Sequence, residues 1–419
     1  VRAAAELSLQ RAVPRGRHPS EPARPEQPLQ IILVGDGPRI GALLHTLPHD
    51  AERLIVHHTP HAVAMGDSPA EALRQHPDAS VAVAARLCQS GQAQAMVSAG
   101  NTGASVLACR QHWQRLPGVR KAALAAVYPT EIRRGEKDDP FSLLLDVGAT
   151  LDVTAEDLCH FAIMGAAYAA RIAKNPRPKV ALLSNGAEAG KGPREVVAAH
   201  ARLRQHPGIH FVGNVEGVDI PRGTADVIVC GGFVGNVALK MLEGVSETVM
   251  RLASYAYKES LMWRAGLAML SGGIGKLKEL TDWEQYGGAP LLGFDKLFIK
   301  AHGRSKAPAL KNAIKVAAKG TATDLFGDMA RLLAQQTDAY LREMAGHFAA
   351  LDLPHTPAPA SPAPSQPPMA PAPTMATLSR EMSMGWPPVR SRWCRGRPRQ
   401  ARWPLRAQRC PRASVPIRF

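Results

Sequence analysis

The chain has 419 residues, a formal net charge of +16 and 45% hydrophobic residues, enough length and apolar content for one large or two ordinary globular domains. No run approaches the ~18 consecutive apolar residues of a membrane-spanning helix. No apolar h-region accompanies the N-terminal arginines, so no secretory signal is expected either. The charge is uneven. Residues 353–419 hold eleven Arg, no Lys and one acid, Glu381, and residues 1–30 hold five Arg against three Glu. That leaves a net of +4 on residues 31–352, which argues against a basic nucleic-acid-binding body.

In chain order, residues 1–30 are polar, Arg- and Pro-bearing and without periodicity, and are read as a segment without ordered elements. Strand-like runs then follow: "LQIILVGD" (29–36), "RLIVHH" (53–58), "AQAMVSA" (93–99), "AALAAVYP" (122–129), "FSLLLDV" (141–147), "KVALLSN" (179–185), "IHFVGN" (209–214) and "ADVIVCGG" (225–232). Helical patterns lie between them, at about 68–90, 103–115, 154–173, 193–206 and 236–270. Apolar strands separated by helices predict an α/β fold, with a mostly parallel sheet covered by helices on both faces over residues 31–350. From 351 onward the chain turns Pro-rich, "PHTPAPASPAPSQPPMAPAPT", then Arg- and Trp-rich. Proline at that density favours extended chain over a packed core, so 351–419 is read as a disordered tail. A nucleic-acid or anionic-membrane tail is the alternative for its arginines.

Six cysteines, at 88, 109, 159, 230, 394 and 410, form no CxxC pair and no zinc-spaced cluster with histidine. They are read as free thiols in a reducing cytoplasm, with no metal expected. The chemical signal lies in glycine loops that end the strands: "LVGDG", "SAGNTGA", "LLDVGAT", "LLSNGAEAGKG" and "VIVCGGFVGNVALK". Each runs from an apolar strand into Gly with Asn, Asp or Ser, and most then enter a helix. Glycine permits close backbone approach, and a helix start offers N–H groups to an anion. Converging at one sheet edge, such loops would cradle a phosphate-bearing ligand. None matches a P-loop, a clean GxGxxG or a GxSxG elbow.

The motifs "VSAGNTGA" (97–104), "LLLDVGAT" (143–150), "GNVEGVDI" (213–220), "GFVGNVALK" (232–240) and "YGGAPLLG" (286–293), in this order, resemble those of PlsX-type phosphate acyltransferases. The resemblance covers about residues 29–348. It implies a fold similar to isocitrate and isopropylmalate dehydrogenases and to phosphotransacetylase. It also implies reversible conversion of acyl carrier protein thioester and phosphate into acyl phosphate and free carrier, in bacterial phospholipid synthesis, without cofactor. The implied partners are acyl carrier protein, a second copy of the chain, the membrane surface and a membrane glycerol-3-phosphate acyltransferase, with no nucleic acid. The implied location is cytoplasmic with peripheral membrane association.

For that reaction, Lys191 is expected to neutralise phosphate or the oxyanion, with a solvated surface lysine as the alternative. Asn236 is expected to donate from a helix start, or simply to cap it. Ser98, Gly100, Asn101, Thr102 and Gly103 are expected to line the phosphate or thioester pocket, or to form only the turn. Asp146, Asn214, Gly235 and Lys240 complete the candidate set. Asp146 and Asn214 read equally as strand-end caps, and Lys240 reads equally as facing solvent. His302, in "KAHGRS", is read as structural.

The pattern departs from the family in three places. Gly231 stands where the family usually carries Asp, "LLSNGAEAGKG" differs from the usual "LLNIGEE..KG", and residues 1–30 contain no "DAMGGD"-like strand and loop. The sheet is therefore expected to lack one strand. A catalytically impaired acyl-carrier-binding homologue and an acyl-CoA-using phosphotransacetylase are the alternatives in function. Residues 244–270 are read as a long helix with Val245, Val249, Leu252, Ala256 and Met262 on one side, for dimer or membrane contact.

Overall fold

The computed structural model describes residues 1–10, 29–134, 139–260 and 287–336, with 262, 263, 266 and 269 between the last two. The Pro- and Arg-rich segment, most of 11–30, Cys394 and Cys410, Tyr286 and parts of 261–270 lie outside the described residues.

Two sheets form. Strands β1 (Ile31–Gly35) and β2 (Leu54–His58) pair in parallel as a separate ribbon. The main sheet has eight strands: β3 (Ala95–Ser98), β4 (Ala123–Arg134), β5 (Asp139–Leu145), β6 (Lys179–Leu183), β7 (His210–Val215), β8 (Val227–Val229), β9 (Ala289–Leu292) and β10 (Leu297–Lys300). Their spatial order is β3-β10-β9-β4-β5-β8-β6-β7. The β10–β3, β5–β8, β8–β6 and β6–β7 pairs are parallel, and β10–β9, β9–β4 and β4–β5 are antiparallel. The expected α/β fold with a mostly parallel sheet is present, with an antiparallel middle.

Strand periodicity divides the core. Leu143 and Leu145 of β5, Val227 and Val229 of β8, and Val180 and Leu182 of β6 face α6 (Ala155–Ile172), which buries Leu158, Phe161, Ile163 and Met164. The alternate residues, Leu144, Ile228 and Ala181, join the opposite layer. There they meet α4 (Ser80–Gln89), α5 (Thr102–His112) and the inner side of α9 (Gly232–Glu259), through Ala238, Leu239 and Leu242. Helix α6 starts on a capping box: the Thr154 hydroxyl accepts from Asp157 N at 3.2 Å, and the Asp157 carboxylate accepts from Thr154 N at 2.9 Å. On the same side lie α7 (Arg194–Arg204), α10 (Ala307–Ala322) and helical residues 325–336.

Several elements differ from the sequence reading. The helix expected over 68–90 is two, α3 (Pro69–Gln75) and α4, because Pro77 disfavours helical backbone at His76, which stands at φ −125°, ψ 77°. Residues 2–8, read as unordered, form α1 (Arg2–Ser8), which buries Ala3, Ala4, Ala5 and Leu7 and pairs Glu6 with Lys311 of α10 at 3.2 Å. Three adjacent alanines give helix propensity without a visible apolar period. Helix α2 (Gly37–Leu44) starts on an Asp36 cap followed by Pro38, inside what reads as a loop. A short helix, α8 (Asp219–Arg222), follows β7.

Candidate functional site

Strand direction decides which loops meet. Strands β5, β8, β6 and β7 are mutually parallel, whereas β3 and β10 run the opposite way across the antiparallel middle. The glycine loops therefore do not all converge on one sheet edge, as the sequence suggests. Those carrying Asp146, Lys191, Asn214, Gly235 and Asn236 leave one end of the strands. The loop carrying Ser98 to Gly103 leaves the other.

At the first end, Asp146 is fully buried and ties a knot. Its Oδ1 accepts from Leu124 N at 2.8 Å, Gly148 N at 3.1 Å and Ala149 N at 3.1 Å. Its Oδ2 accepts from the Thr150 N and Oγ1, each at 2.8 Å. Burial pushes this carboxyl above the usual range, and the donors from Ala149, Leu124 and Thr150 oppose that shift. All five bonds hold the loop in shape, so Asp146 acts as the strand-end cap of the two readings.

Helix α9 starts against this knot. Gly232 N donates to Thr150 Oγ1 at 3.3 Å, and a Cβ at Gly235 would overlap the Asp146 carbonyl oxygen. The close approach requires glycine there. Asn236 donates from Nδ2 to Val147 O at 3.1 Å and lies on the exposed side of the helix start. Gly231 at the N-cap supplies no side-chain cap, so Phe233 and Val234 present first-turn N–H groups at the positive end of the helix dipole.

The β6 loop is looser. Lys191 is exposed, and its backbone N–H closes a turn on Glu188 O at 3.0 Å. Asn214, 7% exposed at the end of β7, donates from Nδ2 to Glu188 O at 2.8 Å and anchors this loop from below. Its Oδ1 is buried without a partner. An open cleft of about 570 Å³ adjoins the loop, lined by Ala189, Gly190, Val197, His200 and Arg204 among others.

At the second end, Ser98 Oγ accepts from Gly100 N at 3.1 Å, so the hydroxyl shapes the turn. Asn101 caps α5 by accepting from Ala104 N at 3.1 Å. Its Nδ2 reaches back to the carbonyls of Ala64, Met65 and Asp67 at 3.1, 3.4 and 3.2 Å. Thr102 opens α5 half-buried, and Gly103 packs on Pro69.

Lys300, which the sequence reading passed over, stands opposite Ser98 in the β10–β3 register and is buried, with Nζ donating to Ala301 O. Burial lowers its ammonium to about 8. Its only sequence signal is a lysine ending the four-residue apolar strand "LFIK", a run too short to stand out. Lys240 is exposed and paired with Glu243 at 2.6 Å. Burial, then Lys240 and other nearby cations, lowers the His302 ring below its ordinary value, which places Lys240 beside the loop that follows β10.

These groups suit anion binding better than covalent catalysis by a side chain. Cys88, Cys109, Cys159 and Cys230 are buried free thiols. Burial pushes Cys88 to about 11 and Cys159 to about 12, so neither is a thiolate at neutral pH.

Residues 20–326 match the family described as fatty acid synthesis protein. The chain is 43% identical over 290 residues to the phosphate acyltransferase of Moorella thermoacetica, covering 69% of this chain and 83% of that one. It is likewise 43% identical over 299 residues to the phosphate acyltransferase of Heliobacterium modesticaldum, covering 71% and 87%. Among solved structures, a phosphotransacetylase from Streptococcus pyogenes is similar, with a TM-score of 0.46 and 18% identity over 70% of this chain and 87% of that one.

Proposed function

Because the chain belongs to the fatty acid synthesis protein family and is an acyltransferase, we propose that it transfers a fatty acyl group reversibly from acyl carrier protein to inorganic phosphate in bacterial phospholipid synthesis. A phosphate oxygen attacks the thioester carbonyl, the C–O bond forms, and the C–S bond breaks. The phosphate proton goes to the departing thiolate. Phosphate is the nucleophile, so no acyl-enzyme is required.

The observation that carries this reading is the side-by-side arrangement of the β5, β8, β6 and β7 loops, with exposed Lys191 and the uncapped start of α9 among them. Lys191 supplies positive charge to phosphate or to the oxyanion. The first-turn N–H groups of α9 and the Asn236 amide supply donors, each worth about 3–4 kcal/mol when aimed at a developing oxyanion. The Asp146 knot holds this helix start in place, so little reorganisation is needed as charge develops. Ser98, Gly100, Asn101, Thr102 and Gly103 form the turn that opens α5 at the opposite strand end, beside Lys300.

Acyl carrier protein is acidic, and Arg202 and Arg204 in the last turn of α7, with Arg204 also lining the cleft beside the Lys191 loop, offer it a steering surface. Helix α9 exposes Val234, Val237, Met241, Val245, Val249 and Leu252 at spacings of three and four. That stripe supports a helix pair in a homodimer, with an apolar end reaching a membrane surface and the membrane glycerol-3-phosphate acyltransferase that would take up the product. Among the described residues no helix is long and apolar enough to cross a membrane.

The test is phosphate-dependent thiol release from a long-chain acyl carrier protein, with acyl-CoA in parallel. Release from the carrier thioester alone, lost in Lys191→Ala and in Asn236→Ala, is expected. Release from acyl-CoA alone would make the chain a phosphotransacetylase-like enzyme. Carrier binding without release would make it a binding homologue.

A further inference from the structure

His61, His76 and Asp78 come together from two loops that the proposed reaction does not use. His61 follows β2, and His76 and Asp78 flank Pro77 at the corner between α3 and α4. The His61 Nδ1 lies 3.0 and 2.9 Å from the two Asp78 carboxylate oxygens. The His61 and His76 rings stack, with centroids 4.1 Å apart and planes inclined by 21°. One ligand atom from each of the three residues lies within 4.8 Å of the others.

Neighbouring bonds hold all three backbones. Ser80 N donates to His61 O at 2.9 Å, Thr59 Oγ1 to Asp78 O at 2.6 Å, and Arg86 to Pro77 O at 2.7 Å. His76 N closes α3 on Ala72 O at 2.9 Å. The cluster is therefore assembled by the fold, with the two rings half-buried and the carboxylate open to solvent.

We propose that His61, His76 and Asp78 bind a divalent transition cation of the Zn²⁺, Co²⁺ or Ni²⁺ kind. Two imidazole nitrogens and one carboxylate oxygen suit borderline cations, whereas Ca²⁺ and Mg²⁺ require oxygen-rich shells. With metal–ligand bonds of about 2.0–2.2 Å, tetrahedral ligand atoms stand about 3.3 Å apart. The His61–Asp78 separation is already close to that. His76, stacked on His61 with its ligand atom within 4.8 Å of the others, would turn its ring out of the stack to bind. Three protein ligands leave a position for water.

The site has a structural consequence. The segment following His61 carries the Ala64, Met65 and Asp67 carbonyls that receive the Asn101 amide. A cation joining His61 to the α3–α4 corner would fasten that segment, and through it the turn that opens α5. Sequence spacing hides the cluster, since fourteen residues separate the two histidines and no cysteine takes part.

The test uses the full chain after chelator treatment and dialysis. Titration calorimetry with Zn²⁺ should show one saturable site. Co²⁺ should develop the visible absorption of a low-coordinate nitrogen–oxygen site, and the midpoint of thermal unfolding should rise with either metal. His61→Asn and His76→Asn should each weaken binding by about tenfold or more and remove the rise in midpoint, since loss of even an outer partner of a metal ligand costs about 10–100-fold. His45→Ala, at the C-cap of the separate helix α2, should bind as the parent does. Absence of saturable binding in the parent chain, a Co²⁺ spectrum that stays that of the hydrated ion, or unchanged binding in both Asn variants would overturn the proposal. The parent-chain measurements decide the matter even where a variant folds poorly.

Discussion

At one end of the main sheet the Asp146 carboxylate accepts five hydrogen bonds, four from backbone N–H groups, and α9 begins against it with no room for a side chain at Gly235. Two strands over, after β6, Lys191 rides an exposed loop tied to β7 by the bonds from Ser184 N to Val215 O and from Asn214 to Glu188 O. The first loop has its polar groups matched internally, whereas the second leaves its cation available to a ligand. The pair shows a division of labour. A buried, satisfied network fixes geometry, and an open, lightly held loop brings the charge. Removing a group from the first should cost stability, and removing the charge from the second should cost turnover.

The largest effect should come from Gly235→Ala. The new methyl group would overlap the Asp146 carbonyl, a backbone atom that cannot move without breaking the knot. Destabilisation above about 4 kcal/mol is expected, in the range reserved for specific steric or network failures. Urea unfolding followed by circular dichroism reads it, and a near-parental midpoint would show that α9 is free to slide. Asp146→Ala comes next. It leaves the N–H groups of Leu124, Gly148, Ala149 and Thr150 without their acceptor, at about 1–3 kcal/mol for each one that stays buried and unpaired. A loss of about 3 kcal/mol or more is expected by the same measurement.

Lys191→Ala should reverse the pattern. Its side chain is exposed, so unfolding should shift by less than about 0.5 kcal/mol. Phosphate-dependent thiol release should fall by about 10²–10³, the loss typical of one electrostatic donor at a developing oxyanion. Equal losses of stability and activity would erase the distinction between the two loops.

Which parts of this arrangement are legible in sequence follows from range. Eight of the strands announce themselves as apolar runs, and α6 by Thr154-x-x-Asp157. The short β9 and β10 do not, because "APLL" between glycines and "LFIK" ending in lysine are only four residues each. Strand direction is a long-range property: nothing in "SAGNTGA" states that β3 runs opposite to β5. Hence the residues of the candidate set are individually visible, while their separation into two ends is not. Asp146 reads as a strand-end cap, but its reach to β4 is hidden in the same way, since Leu124, its partner there, stands twenty-two residues away. Lys300 is missed because its burial depends on the sheet around it rather than on its neighbours in sequence.

Lys300 carries the pH dependence at the second end. Burial lowers its folded value to about 8, below that of an unfolded lysine. Between about pH 8 and the unfolded value near 10.4, the unfolded chain therefore binds more protons than the folded one at this group, and stability rises with pH. The contribution is present in full above the unfolded value and is lost as pH falls through about 8. Lys300→Met should flatten that part of the stability profile measured by urea unfolding from pH 7.5 to 10. An unchanged slope would show that the ammonium is solvated in the folded chain.

The smallest expected effect concerns Gly231. It already has the extended backbone of an N-cap, φ −73° and ψ 149°, but no side chain to cap α9. Gly231→Asp would place a carboxylate within reach of the Phe233 or Val234 N–H, a gain of only a few tenths of a kcal/mol over glycine. The new Cβ would meet Val153 Cγ2 at 3.1 Å, so Val153 must give slightly. Gly231→Ala introduces the same Cβ without the cap and should be destabilising. The difference between the two variants in urea midpoint isolates the capping bond from the contact. An Asp variant less stable than the Ala variant would mean that negative charge is unwelcome at the start of α9, and that the anion site proposed there is already electrostatically satisfied by the protein.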